Sequence, residues 1–358
     1  MKMRDIADAA GVSLTAVSLV LNGKPGIGEE KRALVTRLLQ ENGYQLRAED
    51  TSKRSHAHSN LCFLKYSKHS YLVNGNPGFV TQIMDAAGEE CRRHGYNLLV
   101  TAFSDFSAVN LLVTAFSDFS AVHLPELLES PTTGGVILLG TEIDEEDLAH
   151  FSGIQKPFVI VDNAIEHLPY SSVTMNNADA VFGAVEYLHS LGHRKIGFLY
   201  NSIPSSNDDA RRAAFEAALR QLSLPFSEEH ICRVFPTMDG ARESFGAALD
   251  AGLTLPTAFL ANNDSIALGA MRAMQERGIR VPEDISVIGF DGLPFSAMSD
   301  PPLTTVNVPC ADIGRWAVDI LHQQIRGRIR ATSRILVSTQ LHVRKSTAAP
   351  RAAETGKE

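Results

Sequence analysis

A chain of 358 residues is too long for one ordinary hydrophobic core, so two or three domains are expected. Hydrophobic residues make up 44% and charged residues 21% of the chain, which is typical of a soluble globular protein, and the sequence has no run of 18 apolar residues for a membrane span. The net charge is −8, but residues 1–47 carry +2 and the remainder −10, so only the N-terminal part can approach phosphate groups without repulsion.

The spacing of the cysteines and the N-terminal residues indicate the cellular compartment of the protein. Cys62, Cys91, Cys232 and Cys310 lie far apart without a Cys-x-x-Cys pair, which argues against a zinc site or a disulfide framework and fits reduced thiols. The opening MKMRDIADAAG has acids where a signal peptide needs an apolar core. We therefore expect a cytoplasmic protein with no metal site and no membrane association.

The first predicted elements are three helices, Arg4–Ala10, Leu14–Leu21 and Glu29–Glu41. Gly11 ends the first helix, because glycine enters the left-handed conformation at little cost. Ser13 can cap the second helix through its hydroxyl group. Residues 1–47 are therefore predicted to form a small all-α helix-turn-helix unit.

The second helix has one buried face and one small, uncharged outer face. The residues predicted to face the core are Val17, Val20 and Leu21 of this helix and Leu34, Val35, Leu38 and Leu39 of the third. The outer face consists of Leu14, Thr15, Ser18 and Leu19. A protein-interaction module would show the same periodicity, but the short Ala-Gly-Val-Ser turn has the spacing that exposes a second helix to the DNA major groove.

The segment DIADAAGVSLTAVSLVLNG, followed by LLQENGY, resembles the headpiece of the lactose-repressor/galactose-repressor family of bacterial transcription factors. The resemblance implies that bases are read at Leu14, Thr15 and Leu19. Ser18 and Asn22 are also predicted to contact the DNA. Thr15 can form a hydrogen bond and Leu14 can pack on a thymine methyl group. The family has an arginine where this chain has Leu19, so the operator sequence is expected to differ.

The linker, residues 48–60, departs from the family. Relatives carry a hinge helix with an Ala-Arg-x-Leu core, and the alanine and leucine positions are here Asp50 and Lys53. A lysine cannot act as an apolar minor-groove wedge, although Lys53 and Arg54 can contact phosphate. A disordered tether and a helix induced by DNA both remain open.

From Leu61 onward, short apolar strands alternate with amphipathic helices. The candidate strands are Leu61–Leu64, Leu98–Phe103, Val136–Leu139, Phe158–Val161, Ile196–Leu199, Ala258–Ala261 and Val287–Phe290. One of the helices between and after them is expected to turn Ile313, Trp316, Ala317, Ile320 and Leu321 to one face. Such alternation predicts parallel sheets that are covered on both faces.

This region also resembles the family, through segments such as PFVIVDN, LGHRKIGFL, ANNDSIALGAM and VPEDISVIGFDGLPFS. The implied fold is a two-lobe α/β domain of the type I periplasmic-binding-protein kind at 61–345. We expect lobe 1 at about 61–163 plus 293–323, lobe 2 at about 164–292 plus 324–345, and a polar tail at 346–358. Pro-Pro-Leu-Thr-Thr, residues 301–305, is expected near a return crossover into the first lobe.

Polar residues follow several of the strands, where open α/β sheets bind ligands. The resemblance implies effector binding by Asp162, Arg211, Asp264 and Asp291. Asn263, Phe79 and Phe215 complete the candidate set, because amides and aromatic rings suit sugar hydroxyls and faces. Each has a structural alternative: an Asp after a strand often caps a helix, and either Phe can lie in the core.

Residues 97–109, NLLVTAFSDFSAV, recur identically as 110–122. Two identical copies compete for one strand position, and 13 residues are too few for a solenoid repeat. We predict that one copy fills the strand and the other forms a surface loop.

Together these features predict a ligand-responsive transcriptional regulator, a repressor that binds a pseudo-palindromic operator in double-stranded DNA as a homodimer. The expected effector is a sugar or sugar derivative between the lobes, with no cofactor. A transport-type sugar-binding protein is the alternative that the large region alone would favour. An enzyme is disfavoured, because the sequence has no Gly-rich phosphate loop and no activated Ser or Cys.

Overall fold

The computed structural model describes residues 3–21, 26–42, 44, 60–69, 71–103, 111–113, 121–122, 130–151, 154–167 and 169–351. The chain divides into two compact units, residues 1–59 and 60–358. Among the described helices, none is long and apolar enough to cross a membrane.

The N-terminal unit contains helices α1 (Met3–Ala10), α2 (Leu14–Leu21) and α3 (Glu29–Glu41), which confirms the predicted helices to within one residue. Gly11 has a φ of +61°, and the Ser13 hydroxyl accepts a hydrogen bond from the backbone N–H of Ala16 at 3.2 Å. The core of this unit is formed by Ile6, Ala7, Ala10, Val17, Val20, Val35 and Leu39. The prediction for Leu34 was wrong: it is 40% exposed, because the face of α3 that meets α1 and α2 is narrower than the apolar pattern.

The first sheet of the larger unit has eight strands in the order β13-β7-β6-β5-β1-β2-β3-β4. The strands are β1 (Asn60–Tyr66), β2 (Asn97–Phe103), β3 (Leu111–Val113), β4 (Ala121–Val122), β5 (Thr133–Leu139), β6 (Phe158–Val161), β7 (Ser171–Met175) and β13 (Arg334–Val337). Leu61 and Phe63 face one side, and Cys62 and Leu64 the other, and all four are fully buried. The continuous apolar run in β1 therefore reflects burial on both faces.

The second sheet has six strands in the order β14-β12-β11-β10-β8-β9, of which only β14 is antiparallel to its neighbour. The strands are β8 (Ile196–Asn201), β9 (Ile231–Val234), β10 (Ala258–Ala261), β11 (Ser286–Asp291), β12 (Thr304–Asn307) and β14 (Gln340–His342). All seven predicted strands are confirmed, three in this sheet and four in the first, and each lies in a sheet that is mainly parallel.

The helices that cover these sheets are α4 (Leu72–Gly75), α5 (Pro77–His94), α6 (Asn177–Ser190), α7 (Ser206–Gln221), α8 (Met238–Asp250), α9 (Asp264–Gln275) and α10 (Cys310–Ile325). Helices α5 and α10 pack closely, since a Cβ on Gly314 would lie 2.3 Å from the backbone oxygen of Ile83. Trp316 was predicted on the buried face of α10 but is 47% exposed. Because Gly314 permits the close packing with α5, the buried stripe runs through Ile313 and Ala317 and leaves Trp316 outside it.

The chain crosses between the two sheets at different places from those predicted. β7 and β13 belong to the first sheet, whereas β12 belongs to the second. The crossings therefore fall at residue 176, at 308–309 and at 338–339. The return crossing into the first lobe comes at 308–309, directly after the segment 301–305 near which it was predicted, because β12 leads into α10, which packs on the first sheet. We call the two halves the first and the second lobe, after their sheets.

The duplicated segment contributes to the sheet in both copies, so the prediction of a surface loop was wrong. The first copy forms β2, parallel to β1, and the second supplies β3 and β4. β3 pairs antiparallel with the edge that β2 would otherwise leave open, and β4 pairs antiparallel with β3. An unpaired strand edge exposes donors and acceptors that an identical apolar segment can satisfy.

Part of the predicted polar tail belongs to the second lobe. Ser346 is fully buried, and its backbone oxygen accepts a hydrogen bond from Val287 N at 2.8 Å. Its hydroxyl donates to the Val287 oxygen at 2.6 Å and accepts from Thr304 N at 2.8 Å. The segment after β14 therefore closes the end of the second sheet.

Candidate functional site

A cavity of about 50 Å³ lies between the lobes, beyond the carboxyl ends of the parallel strands. The first lobe contributes Leu72, Asn76, Phe79, Val80, Thr141 and Asp162. The second lobe contributes Ser205, Asn207, Asp208, Arg211, Asn263 and Asp291. The structure thus brings together Phe79, Asp162, Arg211, Asn263 and Asp291 of the predicted effector set.

Asp162 follows β6 in the left-handed conformation, with a φ of +58°. Its carboxylate accepts hydrogen bonds from the Thr141 hydroxyl at 2.5 Å and from Asn207 Nδ2 at 2.9 Å. Burial raises its pKa to about 6, because the charged form loses hydration. Since Asn207 belongs to the second lobe, this carboxylate also joins the two lobes.

Asp291 ends β11 with a φ of +103° and is 6% exposed. Its Oδ2 accepts a hydrogen bond from Asn76 Nδ2 at 2.7 Å, which makes a second link between the lobes. Burial raises its pKa well above the usual range of a carboxyl group. Asn76 Oδ1 is buried and has no hydrogen-bond partner among the described residues. This oxygen can therefore accept a hydrogen bond from a ligand in the cavity.

Arg211 lies on the first turns of α7 and is 5% exposed. Its Nε donates to Asn177 Oδ1 at 3.0 Å and its Nη1 to the Asn262 carbonyl oxygen at 2.6 Å. The guanidinium also stacks on the Phe290 ring, 3.9 Å from the centroid. These contacts fix the group in place, so Arg211 presents a rigid positive charge to the cavity.

The lining therefore contains the carboxyl groups of Asp162, Asp208 and Asp291 and one guanidinium. Asp208 forms a capping box with Ser205 at the start of α7, and Asn263 Oδ1 caps α9 by accepting from Ile266 N at 2.8 Å. Acceptors outnumber free donors in such a cavity. It suits a ligand that is rich in hydroxyl groups and carries no negative charge.

Asp264 and Phe215, the two other predicted effector residues, do not line this cavity. Asp264 is fully buried, accepts hydrogen bonds from Leu293 N at 2.7 Å and Thr305 Oγ1 at 2.5 Å, and has a pKa raised to about 7 by burial. Phe215 is fully buried in the core and stacks on Phe198, with ring centroids 5.0 Å apart. Phe215 has its structural alternative, a place in the core. Asp264 is also held by contacts within the protein, but the predicted helix cap is supplied by Asn263 instead.

Sequence reasoning missed several lining residues. The sequence does carry a signal for Ser205, Asn207 and Asp208, because Ser-x-x-Asp after an apolar strand is a capping box at a helix start beside the ligand crevice. Asn76 and Thr141 carry no such signal. Their loops meet the cavity only through the packing of the first lobe.

The outer face of α2 is the candidate DNA-contacting surface. Leu14 is 49% exposed, Thr15 is exposed, and Ser18 and Leu19 are half-buried. A Cβ on Gly26 would lie 3.2 Å from Leu19 Cδ1, so Gly26 covers part of Leu19. The predicted contacts Asn22, Lys53 and Arg54 lie outside the described residues.

A trio that could hold a metal, Glu90, His94 and Asp319, occurs on the packed helices α5 and α10, with ligand atoms within 4.8 Å of one another. His94 Nε2 already contacts Asp319 Oδ1 at 2.9 Å and Glu90 Oε1 at 3.4 Å, and Arg93 pairs with Glu90. These contacts account for the trio as a network of polar contacts between the helices.

Comparison with known proteins places both parts of the chain. The family described as "Bacterial regulatory proteins, lacI family" matches residues 2–45, and "Periplasmic binding protein-like domain" matches residues 185–347. The transcriptional regulator reg1 of Streptomyces lividans is 30% identical over 360 residues, which cover 97% of this chain and 96% of reg1.

Solved structures agree with this placement. The Lac repressor dimer bound to operator and the anti-inducer ONPF has a TM-score of 0.69 and 26% identity, over 98% of this chain and 99% of that one. The complex of the transcriptional regulator CelR with cellobiose has a TM-score of 0.69 and 22% identity, over 97% and 99% of the two chains. The protein therefore belongs to the lacI family of bacterial regulatory proteins, with a helix-turn-helix unit followed by a two-lobe domain of the periplasmic-binding-protein kind.

Proposed function

We propose that the protein is a transcriptional repressor that binds a pseudo-palindromic operator as a homodimer and is switched by a small sugar between its lobes. The observation that carries the proposal is the presence, in one chain, of an exposed second helix and an acceptor-rich cavity between lobes. The Lac repressor, a relative that forms a dimer on its operator, supports the dimeric arrangement. Two headpieces about 34 Å apart would meet successive major-groove faces.

The DNA contact is assigned to α2. Thr15 donates or accepts a hydrogen bond at a base edge, and Leu14 packs on a thymine methyl group. Ser18 and Leu19 lie further along the helix and are assigned to the same contact, as is Asn22 in the sequence that follows it. We assign Lys53 and Arg54 of the linker to phosphate groups of the DNA backbone. The match of residues 2–45 to a family of regulators disfavours the transport-protein alternative.

The effector is assigned to the cavity between the lobes. Carboxyl groups form hydrogen bonds with sugar hydroxyls, so Asp162 and Asp291 would hold one edge of the ligand, and Arg211 and Asn263 the other. A ligand hydroxyl would also satisfy Asn76 Oδ1. Phe79, 5% exposed, closes one wall. We assign no cofactor and no catalytic activity, and place the protein in the cytoplasm.

The switch requires that the effector bind two lobe arrangements unequally, by about 1–3 kcal/mol for a typical coupling. The Asp162–Asn207 and Asp291–Asn76 hydrogen bonds both span the lobes and both involve proposed effector residues. A ligand that competes for these carboxylates changes the contacts between the lobes directly. The three crossing segments are where the chain would bend.

A mobility shift with the DNA upstream of its own gene tests the proposal. We expect a salt-dependent shift that Thr15→Ala weakens at least about tenfold, whereas Gln40→Ala, an exposed change on α3, leaves it unchanged. Addition of sugars or purines to the same reaction should alter the shift with a sugar. A shift that is absent at low salt, or that responds only to purines, contradicts the respective half of the proposal.

A further inference from the structure

The polar contacts among Glu90, His94 and Asp319 also bring three atoms that can bind a metal ion close together. One ligand atom of each residue lies within 4.8 Å of the other two. His94 Nε2 is 3.4 Å from Glu90 Oε1 and 2.9 Å from Asp319 Oδ1. In tetrahedral zinc sites, bonds of about 2.0–2.2 Å place neighbouring ligand atoms about 3.3–3.6 Å apart. The trio therefore nearly has the spacing that a tetrahedral ion requires.

Two helices supply the three ligands. Glu90 and His94 lie one turn apart on α5, so their side chains share one face of that helix. Asp319 lies on α10, 225 residues after His94. The close packing of the two helices at Gly314 fixes the distance between the ligands of α5 and the ligand of α10. The expectation of no metal site was based on the cysteines and could not include a ligand so distant in the chain.

Neighbouring side chains hold two of the ligands in position. Arg93 Nη1 donates a hydrogen bond to Glu90 Oε2 at 3.2 Å, and the other carboxylate oxygen, Oε1, faces His94. The His94 ring stacks on the His322 ring, with centroids 4.0 Å apart, and His322 Nδ1 lies 3.0 Å from the Tyr96 hydroxyl. In metal sites, outer contacts of this kind orient the ligands toward the ion.

The exposure and the chemistry of the trio both suit a transition-metal ion. The side chains of His94 and Asp319 are 25% and 40% exposed, so an ion can reach them from solution, whereas Glu90 is 11% exposed. One imidazole and two carboxylates suit zinc, because magnesium and calcium prefer oxygen ligands alone. The two carboxylates balance the charge of a divalent ion. Three protein ligands leave the fourth position to a water molecule.

We propose that Glu90, His94 and Asp319 form a structural zinc site that joins α5 to α10. Zinc binds His94 through Nε2, so any proton on that nitrogen moves to Nδ1 or is released to water. Bonds from the ion to His94 and Asp319 then replace the direct contact between these two side chains. Because α10 follows the crossing at 308–309, the ion ties the returning chain to the first lobe. The three ligands do not line the cavity between the lobes, so the site is independent of the effector.

Titration of the full-length protein with cobalt(II) tests the site, because bound cobalt absorbs visible light and zinc competes for the same ligands. The chain has 12 histidines, so matched variants are needed to identify the ligands. His94→Gln and Asp319→Asn should each weaken cobalt binding at least about tenfold. The controls are His167→Gln, at an exposed histidine beside Glu166, and Asp312→Asn, at a half-exposed position of α10, and both should bind as the native protein does.

Thermal melts with and without zinc give a second measurement. An ion that binds only the folded protein raises the melting temperature, so zinc should stabilise the native protein and both controls but neither trio variant. Asp319→Asn changes a 40% exposed side chain and so tests the site even where His94→Gln disturbs the packing against His322. Cobalt binding and a zinc shift that are equal in the trio variants and the controls would overturn the site. A native protein without a cobalt band or a zinc shift in large metal excess would do so as well.

Discussion

Replacement of Asp264 by asparagine should stabilise the second lobe at neutral pH and change little in acid. The carboxyl group is fully buried at the start of α9 and accepts hydrogen bonds from Leu293 N and Thr305 Oγ1. Burial disfavours the charged form and raises the pKa from 3.8 to about 7. The fold therefore prefers the protonated acid.

Because burial raises the pKa of Asp264, the free energy of unfolding depends on pH. Below pH 3.8 both the folded and the unfolded chain carry the protonated group, so its stabilising effect is fully present. As the pH rises from there toward 7, the unfolded chain releases the proton while the fold retains it, and the free energy of unfolding falls. One pKa unit corresponds to about 1.4 kcal/mol, so the full loss for the native protein is about 4 kcal/mol.

Asparagine can keep both hydrogen bonds without a charge. Its Oδ1 accepts from Leu293 N, and its amide donates to the Thr305 hydroxyl, which can turn to accept. The advantage of Asp264→Asn over the native protein should be below about 1 kcal/mol near pH 4 and about 4 kcal/mol near pH 8.

Urea denaturation followed by circular dichroism at the two pH values measures this difference. Asp85→Asn, an exposed change on α5, is the control and should show no such dependence. A variant that is less stable than the native protein by the same amount at both pH values would refute the reasoning, because the buried carboxyl would then not be protonated in the fold.

Four further outcomes are expected. Thr15→Ala should weaken operator binding at least about tenfold without lowering the melting temperature. By contrast, Val17→Ala, at a fully buried position of the same helix, should destabilise the headpiece by about 2 kcal/mol in thermal melts. Gly314→Ala should destabilise the first lobe by about 1–3 kcal/mol in urea, because the added methyl group meets the α5 backbone. Asp291→Asn should reduce effector affinity in calorimetry at least tenfold while operator binding by mobility shift persists. Deletion of 110–122 should leave the melting temperature of the larger unit within a few degrees, because only the edge strands are removed.

For each of these predictions, a specific result would contradict the reasoning. An unchanged mobility shift with Thr15→Ala would remove α2 from base contact. Native stability of Gly314→Ala would mean that α5 and α10 separate at little cost. Effector binding undiminished in Asp291→Asn would place the ligand elsewhere, and unfolding of the deletion variant would make the second copy part of the lobe core.

The sequence was sufficient for the elements whose apolar pattern is strong. Helices α2 and α3 have the predicted bounds, and the start of α2 is set by Gly11 and Ser13 through local backbone geometry. β7 was missed because Ser-Ser-Val-Thr-Met has little apolar character, yet all five residues are buried. One edge of its backbone is paired only once β13, far along the chain, lies beside it, with Arg334 opposite Ser172.

The effector residues could also not be predicted fully from the sequence, because their positions depend on residues that are distant in the chain. Asp264 and Asp291 both lie beside strands of the second sheet, and only one of them lines the cavity. Gly289 explains the difference between them. A Cβ at this position would lie 2.2 Å from Asp264 Oδ1, so the glycine leaves the space in which the Asp264 carboxyl group lies in the core. Such a choice depends on contacts across the sheet, which a single sequence does not specify.

The three crossings have a consequence for synthesis on the ribosome. The first sheet lacks β13 until residue 337 has emerged, and the second lacks β14 until residue 342. Neither half is thus a continuous stretch of chain that can finish folding while the other is still being made. Translation that stops early, at any point before these last strands, leaves both halves with exposed strand edges, so premature products should be recognised by chaperones and proteases as unfinished.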